Sequence, residues 1–452
     1  MPPSEGEKSS ASDEVSRRVV ALDLRDAQQL GPRSGPLSRV CGLPALERTM
    51  LVLGRRGYGH ALVLVRPADR ELVEQMMRRL PGSGIRVSWI EDGTRELGFW
   101  PVIEALTAEE PPVSDVLYWP GALSFGRFAP KIVDRTAPRD GAAVGVHATR
   151  PDSVGPMVIS LGALQASPDS TPHQLEQQLA AEGKLEGVEL DLEPILLRDP
   201  IDTRRATSTL LASLRKKEDG VVAHFDRHIS LAVSRHLMKI QVHPHAATIA
   251  AAVAGAVCGV LAAQGGYVYL LLGALLFQLN SILDGIDGEL ARAKLLESRT
   301  GQWMDTLSDD FSNTAFVLGA GIGCYRTWDS TLYLVLGIVA AAGFVINAVI
   351  MYRYLLTRTT SGDLNAVRMP WEQHSRLEKA YDASPEPQQP PRPTLAQRLE
   401  PLVRRDFFVL LTTFLALVGQ LRIMMFFFAL GATVVWVSIL AYPLFKRSGT
   451  PA

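Results

Sequence analysis

The 452-residue sequence predicts two fold classes in one chain, an α/β domain followed by an all-α domain of six membrane-spanning helices. Two patterns predict this division. Short β-branched runs alternate with amphipathic helical patterns in the first half, and most long apolar runs fall after Ala246. The mean composition, 47% hydrophobic and 21% charged, hides the contrast because it averages the two halves.

The α/β domain is predicted over residues 18–203, after a polar tail at 1–17 that we expect to be disordered and cytoplasmic. Strands are predicted for RVVALDL, GHALVLVR, IRVSWIE, DVLYWPG and PMVISLG, and helices for LPALERTMLVLGRRG and PADRELVEQMMRRL. This alternation of strands and helices favours a largely parallel, doubly wound sheet.

Residues 204–245 are predicted to be a linker that ends in a juxtamembrane amphipathic helix. Ile229, Val233 and Leu237 share one side of this helix, and its basic residues lie mostly elsewhere. A basic amphipathic helix just before a membrane span is typical of the lipid headgroup surface.

The membrane domain is predicted over residues 246–447. A bilayer core of ~30 Å requires roughly 20 apolar residues per helix. Buried helices of a water-soluble protein are a poor alternative, because six such runs would leave almost no polar surface. The predicted spans are 246–263, 267–292, 302–325, 331–356, 406–420 and 423–445.

Basic residues near the span ends predict the orientation. They fall mostly on one side, together with the basic linker, and this side is expected to be cytoplasmic. Both termini and a flexible loop at 359–403 would then lie in the cytoplasm, at a plasma or inner membrane. The residues that predict this are Lys294, Arg299, Arg353, Arg358, Arg404, Arg405, Lys446 and Arg447.

Composition also excludes some function classes. The formal net charge of -1 gives no indication of a nucleic-acid partner. Three scattered cysteines are too few for a disulfide framework or a cysteine-based zinc site.

Four aspartates carry the clearest chemical signal. Asp284 and Asp287 stand three apart near the end of the second span, and Asp305 and Asp309 stand four apart near the start of the third. Each pair shares one helix face, so two antiparallel helices would bring four carboxylates together at one membrane depth. Such a cluster requires compensating cations, and all-oxygen ligands suit Mg²⁺ or Mn²⁺. Two such ions could hold a diphosphate and stabilise charge during phosphoryl transfer.

The residues around the aspartates fit the same chemistry. Gly288 and Ala291 lack bulk, so a substrate could approach the helix backbone, and Arg292 could neutralise a phosphate. The pattern Asp284-x2-Asp287-Gly288-x2-Ala291-Arg292-x8-Gly301-x3-Asp305-x3-Asp309 resembles the full signature of the CDP-alcohol phosphotransferase family. A calcium loop of the EF-hand type is a weaker interpretation, because the residues after Gly288 continue as a helix.

The resemblance implies a six-helix membrane fold, usually dimeric, with its site facing the cytosol. Its members displace CMP from a CDP-alcohol donor with a hydroxyl acceptor. By resemblance Asp284, Asp287, Asp305 and Asp309 hold two divalent ions, and Asp309 is also the general base. Gly288, Ala291, Arg292 and Gly301 would lie against the CDP group, as would Thr248, although the asparagine usual after Pro244 is replaced by His245. Arg404 and Arg405 resemble a basic patch that either binds a phosphate of the acceptor or anchors the span.

The α/β domain resembles a sugar-phosphate nucleotidyltransferase around RVCGLPALERTMLVLGRRGYGHALVLV. A similar fusion occurs in bifunctional inositol-phosphate cytidylyltransferase/di-myo-inositol-phosphate-phosphate synthases. The first strand is followed by ALDLRDAQQLGPRSG instead of a glycine-rich phosphate loop, and VLYWPGALSFG offers no metal-binding aspartate. We therefore expect this domain to be catalytically inactive.

The sequence thus predicts metal-dependent transfer of a phospho-alcohol group, in phospholipid or inositol-phosphodiester biosynthesis. Two hypotheses from other classes remain. In a divalent-cation channel the aspartates would be a permeation site, but the outer halves of the second and third spans are apolar. A membrane scaffold presenting the α/β domain would not require four aspartates.

Overall fold

The fold is described from a computed structural model. The predicted tail at 1–17, the loop at 359–403 and Arg404 lie outside the residues that it describes. The chain divides into two compact units, Met1–Leu214 with Ala293–Leu295, and Arg215–Arg292 with Leu296–Ala452. The described residues are 18–25, 35–78, 84–91, 98–109, 113–121, 123–125, 130–146, 155–190, 194–214, 221–240, 242–358 and 405–448.

The first unit is an α/β domain. Its strands are Arg18–Asp23 (β1), Arg39–Val40 (β2), Leu43–Pro44 (β3), Tyr58–Val65 (β4), Arg86–Glu91 (β5), Asp115–Pro120 (β6), Leu123–Ser124 (β7), Ala142–Val146 (β8), Met157–Ser160 (β9), Leu185–Glu189 (β10) and Ile195–Leu196 (β11). Its α-helices are Ala45–Arg55 (α1), Arg70–Met77 (α2), Trp100–Thr107 (α3), Leu161–Ala166 (α4), Pro172–Ala181 (α5) and Pro200–Ser213 (α6). Short 3-10 turns occupy Gly35–Leu37, Pro67–Asp69 and Lys131–Asp134.

Seven strands form one sheet in the order β10-β8-β9-β6-β1-β4-β5. The predicted α/β class is confirmed, and all five predicted strands are present. Pairing is parallel along β6-β1-β4-β5 and between β10 and β8, whereas β9 runs antiparallel to both of its neighbours. The sheet is therefore mixed. Apolar clusters cover both of its faces, one including Trp119 and Leu46 and the other Tyr118 and Leu106.

The carboxyl end of the central strand β1 carries a polar cluster. Asp23 accepts hydrogen bonds from Arg25 Nε to Oδ1 at 3.0 Å and from Arg25 Nη2 to Oδ2 at 2.8 Å. The Tyr118 hydroxyl donates to Asp23 Oδ2 at 3.0 Å. Both charged side chains are 8% exposed, so the aspartate is held by partners from its own domain.

The regular secondary structure in the described residues of the second unit is all helical. The helices are Val221–Leu237 (α7), Pro244–Gln264 (α8), Tyr267–Ala293 (α9), Arg299–Trp328 (α10), Thr331–Arg358 (α11), Arg405–Leu417 (α12) and Leu421–Ser448 (α13). Helices α8 to α13 correspond to the six predicted spans.

Three of these helices are long and apolar enough to cross a membrane within the part of the chain that the structure describes: Pro244–Gln264, Tyr267–Ala293 and Thr331–Thr357. Phe407–Leu417 and Leu421–Val437 are apolar but shorter. Helix α10 falls short because polar and charged residues, Asp305 and Asp309 among them, interrupt its apolar pattern.

Close packing of α8 against α10 depends on glycine. A Cβ atom on Gly319 would lie 2.1 Å from the Gly259 carbonyl oxygen, and one on Gly255 would lie 2.0 Å from Ser312 Oγ. Any larger residue would force the two backbones apart.

Helices α9 and α10 are joined by an aromatic stack. The rings of Phe277 and Phe316 are 4.2 Å apart and 5° from parallel, and both side chains are buried. Phe277 lies two turns before Asp284 and Phe316 two turns after Asp309. Because the helices run in opposite directions, this stack brings the two aspartates to one level.

Candidate active site

The aspartate cluster lies at the C-terminal end of α9 and the N-terminal end of α10, which are predicted to face the cytoplasm. Asp284 and Asp287 lie in the last three turns of α9, and Asp305 and Asp309 in the first three turns of α10. The carboxyl groups of Asp284 and Asp305 lie within hydrogen-bonding reach, as do those of Asp284 and Asp309. The predicted convergence of two carboxylate pairs is therefore present in the structure.

Asp287 is the most buried of the four aspartates and is 4% exposed. The Thr248 hydroxyl, on α8, donates a hydrogen bond to Asp287 Oδ2 at 2.5 Å. Thr248 is predicted to contact the CDP group, and in the structure its hydroxyl lies against Asp287, a predicted metal ligand. Its hydroxyl orients Asp287, which is a contact that residue spacing could not reveal.

Arg405 joins the two helices of the cluster. Its Nη1 atom lies 3.5 Å from Asp284 Oδ2 and also forms an ion pair with Asp309 Oδ2. The three side chains are between 24% and 29% exposed, so the pair lies at the border of the protein interior. Arg405 was predicted either to bind an acceptor phosphate or to anchor the span, and it contacts the cluster from the start of α12.

Asp305 is incompletely satisfied. Its Oδ1 atom is buried, and no hydrogen-bond partner for it occurs among the described residues. A buried carboxylate oxygen without a partner is costly unless a cation or a proton neutralises it. This oxygen therefore indicates a place for a positive charge.

The glycines of the motif make room for neighbouring polar groups. A Cβ atom on Gly288 would lie 2.9 Å from Arg292 Nη1, so the absent side chain lets Arg292 fold back along α9. The Gly301 amide donates to Ser298 Oγ at 3.0 Å, which caps α10, and a Cβ there would lie 3.4 Å from the ring of His245. Ala291 is half-buried on α9. These residues lie on the helices of the cluster.

Two polar contacts near the cluster, one buried and one partly buried, were not predicted. Glu289, two residues after Asp287, is fully buried against α7. Asp310, next to Asp309, accepts a hydrogen bond from the Tyr352 hydroxyl on α11. A charged residue within an apolar helix is the sequence signal that could have indicated both.

The donor set fits a hard divalent cation, because four carboxylates offer only oxygen ligands and Asp305 retains a partnerless oxygen. As the side chains stand, no group of three or more His, Cys, Asp and Glu residues within the described ranges could hold a metal ion. The Arg405 guanidinium, paired with Asp284 and Asp309, already supplies one positive charge to the cluster. Metal loading would therefore require Arg405 to move away from these carboxylates.

Comparison with known proteins agrees with the motif. Residues 241–380 match the family model described as CDP-alcohol phosphatidyltransferase. The bifunctional IPC transferase and DIPP synthase of Thermococcus kodakarensis is 33% identical over 148 residues, 32% of this chain and 32% of the relative. The protein of the same name from Archaeoglobus fulgidus is 31% identical over 140 residues, 30% of this chain and 28% of the relative. Each match spans about a third of the relative's length.

Two solved structures show a distant similarity to parts of the chain. The inositol-1-phosphate CTP transferase from T. maritima is 14% identical, with a TM-score of 0.33 over 43% of this chain and 96% of the other. The phosphatidylinositol phosphate synthase of Mycobacterium tuberculosis with CDP-DAG bound is 17% identical, with a TM-score of 0.32 over 47% of this chain and 92% of the other. Scores this low support no inference about function. The family match does confirm the resemblance predicted from the aspartate motif: the C-terminal part of the chain carries a domain of the CDP-alcohol phosphatidyltransferase family model.

Proposed function

We propose that the protein transfers a phospho-alcohol group from a CDP-alcohol to a hydroxyl acceptor and releases CMP. The observation that carries this proposal is the convergence of Asp284, Asp287, Asp305 and Asp309 from two antiparallel helices inside the matched region 241–380. The match to the family model supports the same reaction class.

The four aspartates would hold two divalent ions, Mg²⁺ or Mn²⁺. Bound there, such ions polarise the diphosphate and stabilise the charge of the displacement. The protein's own part is to fix the carboxylates: the Phe277–Phe316 stack sets the level of the helices, and Thr248 orients Asp287.

Asp309 is the proposed general base. Its carboxylate takes the proton of the acceptor hydroxyl while the acceptor oxygen forms a bond to the phosphorus atom of the donor's alcohol phosphate. The bond from that phosphorus to the oxygen of CMP breaks, and CMP leaves. Since Arg405 pairs with Asp309, the base becomes available when Arg405 turns to another anion, for which a phosphate of the acceptor is suited. In this scheme Arg405 couples acceptor binding to activation of Asp309.

Gly288, Ala291, Arg292 and Gly301 are proposed to line the place of the CDP group. Glycine and alanine leave space along the helix backbone, and Arg292 supplies positive charge beside the aspartates. Arg404, outside the described residues, would reinforce Arg405 on the acceptor side.

The substrate class is proposed from the relatives. Those from Thermococcus kodakarensis and Archaeoglobus fulgidus are named IPC transferase and DIPP synthase, which favours an inositol-containing donor and a soluble phosphodiester product. CDP-diacylglycerol with a hydrophilic acceptor is the alternative within the same reaction class.

The α/β domain, proposed over residues 18–203 and followed by a linker and amphipathic helix at 204–245, is proposed to be catalytically inactive. Asp23, at the carboxyl end of β1, is held by Arg25 and Tyr118 inside its own domain. For the membrane domain at 246–447 we propose a homodimer in the plasma or inner membrane, with both termini and the aspartates on the cytoplasmic side.

The test is CMP release by the detergent-purified full chain. CDP-inositol and CDP-diacylglycerol would each be offered with polyol and polyol-phosphate acceptors, in Mg²⁺, in Mn²⁺ and in EDTA. We expect CMP and a phosphodiester from one pair, only with metal. The absence of CMP from every pair would overturn the proposal, and divalent-ion flux in liposomes would then favour the channel hypothesis.

A further inference from the structure

The last turns of α9 carry a second carboxylate, which faces away from the aspartate cluster. Glu289 is 0% exposed and lies two residues beyond Asp287, roughly on the opposite side of the helix. Its surroundings are polar, although α9 is an apolar helix overall.

Both oxygens of Glu289 are bound by α7. Ser230 Oγ donates to Oε1 and Ser234 Oγ donates to Oε2, each at 2.6 Å, and Arg227 Nη1 lies 3.3 Å from Oε1. The two serines are 2% and 0% exposed. Residues 227, 230 and 234 lie on one face of α7, and all three contact the same carboxylate.

This stretch of α9 requires support. The sequence Asp284-Gly285-Ile286-Asp287-Gly288 contains two glycines and two aspartates, residue types with poor helix propensity, and a glycine alone costs about 1 kcal/mol relative to alanine. The same turns present charges that repel those of α10. Intrinsic preferences and electrostatics therefore both favour fraying at the place where Asp284 and Asp287 must be held.

Helix α7 makes its contacts along this weak stretch. A Cβ atom on Gly285 would lie 3.4 Å from Ser230 Oγ, which shows how closely α7 approaches. Further up the helix, Gln278 Nε2 donates to both oxygens of Asp226 at 2.9 and 3.0 Å. The Glu289 contacts thus anchor α9 at the turn of Asp287, whereas the Gln278 contact lies more than one turn before Asp284.

We propose that Glu289 is a positioning residue, which holds the carboxylates of Asp284 and Asp287 in place by anchoring the end of α9 to Ser230, Ser234 and Arg227 of α7. The inference rests on the proposed transfer reaction for its kinetic effect, but not for its effect on cation binding. Glu289 itself takes no part in bond making or breaking.

The test uses the full chain in detergent, with Glu289→Gln, the pair Ser230→Ala with Ser234→Ala, and the triple variant. Binding of Mn²⁺ is measured without substrate by electron paramagnetic resonance, and kcat and KM are measured by CMP release. We expect Glu289→Gln to weaken Mn²⁺ binding and to lower kcat about tenfold each, the usual effect of losing a group that orients metal ligands. The triple variant should lose no more than Glu289→Gln alone, because the groups act as one unit.

Asp226→Asn is the matched control, since it removes a carboxylate from the same helix interface farther from the cluster. We expect its Mn²⁺ affinity and kcat to stay within about twofold of the wild-type values. A Glu289→Gln variant with lowered thermal stability but unchanged Mn²⁺ binding would overturn the proposal, and so would an equal loss in Asp226→Asn. If wild type binds Mn²⁺ but releases no CMP, the proposed function fails while the binding data still decide the role of Glu289.

Discussion

The two units of the protein balance their buried carboxylates in different ways. In the α/β unit Asp23 has its own arginine, and Arg25 binds both of its oxygens. In the helical unit Asp284 and Asp309 share Arg405, and Asp305 keeps a buried oxygen without a partner among the described residues. An aspartate with both oxygens bound by one arginine is fully paired, whereas a carboxylate oxygen without a partner leaves room for a cation. This difference supports the proposal that the second unit, and not the first, binds the divalent cations.

The largest expected effect is on the rate of CMP release, which should depend on an aspartate of the helical unit and not on one of the α/β unit. Asp305→Ala removes a proposed metal ligand and should lower CMP release by more than about 100-fold, because even groups that only orient such ligands cost up to that much. Asp23→Asn should leave CMP release at the wild-type level when assayed below its unfolding temperature. Rates of both variants are measured over a range of Mg²⁺ concentrations. A comparable loss in Asp23→Asn would show that the α/β unit takes part in the reaction.

The free energy of unfolding should change in the reverse order, with the larger loss in Asp23→Asn. Asp23→Asn removes the carboxylate that binds the buried Arg25 guanidinium at two nitrogen atoms, which is expected to lower the free energy of unfolding by about 3–5 kcal/mol. Urea unfolding in detergent measures this change. Replacing Arg25 as well, in Asp23→Asn with Arg25→Met, should recover part of the loss because no buried charge remains. If the single variant is as stable as the wild type, the description of this pair as structural is wrong.

A substitution of Arg405 tests whether its guanidinium competes with metal ions for Asp284 and Asp309. Arg405→Gln should raise the KM for a phosphorylated acceptor about tenfold, as expected for a lost charge-assisted hydrogen bond. The same substitution removes a competing cation from Asp284 and Asp309, so Mn²⁺ should bind more tightly, as measured by calorimetry. Arg422→Gln is the control, because this arginine contacts an aromatic ring and not the aspartates: its Cζ atom lies 5.3 Å from the centroid of the Trp328 ring. Weaker Mn²⁺ binding in Arg405→Gln would contradict competition between guanidinium and metal.

The smallest expected effect is a change in the stability of the α/β unit with pH. Burial lowers the pKa of His60, against the opposing influence of Glu109, whose Oε1 lies 2.8 Å from His60 Nδ1. The unfolded chain, with an ordinary histidine pKa of about 6.5, then binds a proton more readily than the folded domain. The stability due to neutral His60 is present above that pH and is lost as the pH falls below it.

The measurement is thermal unfolding of wild type and His60→Gln between pH 8 and pH 5. Wild type should lose more stability on acidification than the variant does. Parallel curves for the two proteins would exclude His60 as a source of the pH dependence.

Much of this organisation could be predicted because the signals are local. The predicted strand RVVALDL became Arg18–Asp23, and the predicted third span at 302–325 lies within Arg299–Trp328. Strands β8 and β10 were missed: AAVGV and LEGVE are short, contain glycine and have few of the residues that favour strands. The antiparallel placement of β9 depends on its partners in the sheet, which no local pattern encodes.

The aspartate cluster was predictable because helical spacing fixes which residues share a face. The contacts of Thr248 and Arg405 with the aspartates were not, since these residues reach the cluster from other helices across 39 or more positions of sequence. Glu289 was overlooked for the same reason, because its serine partners lie on α7, more than 50 positions earlier in the sequence. Long-range contacts of this kind depend on how the helices pack.

The most direct measurement compares Asp309→Asn with Asp310→Asn in CMP release, using the donor and acceptor that wild type converts. The two neighbours differ in their contacts, because Asp309 faces Asp284 and Arg405 whereas Asp310 accepts from Tyr352. If Asp309 is the general base, its variant should be slower by about 10²–10⁴-fold, and Asp310→Asn should keep most of the wild-type rate. Equal rates in Asp309→Asn and wild type would contradict the account.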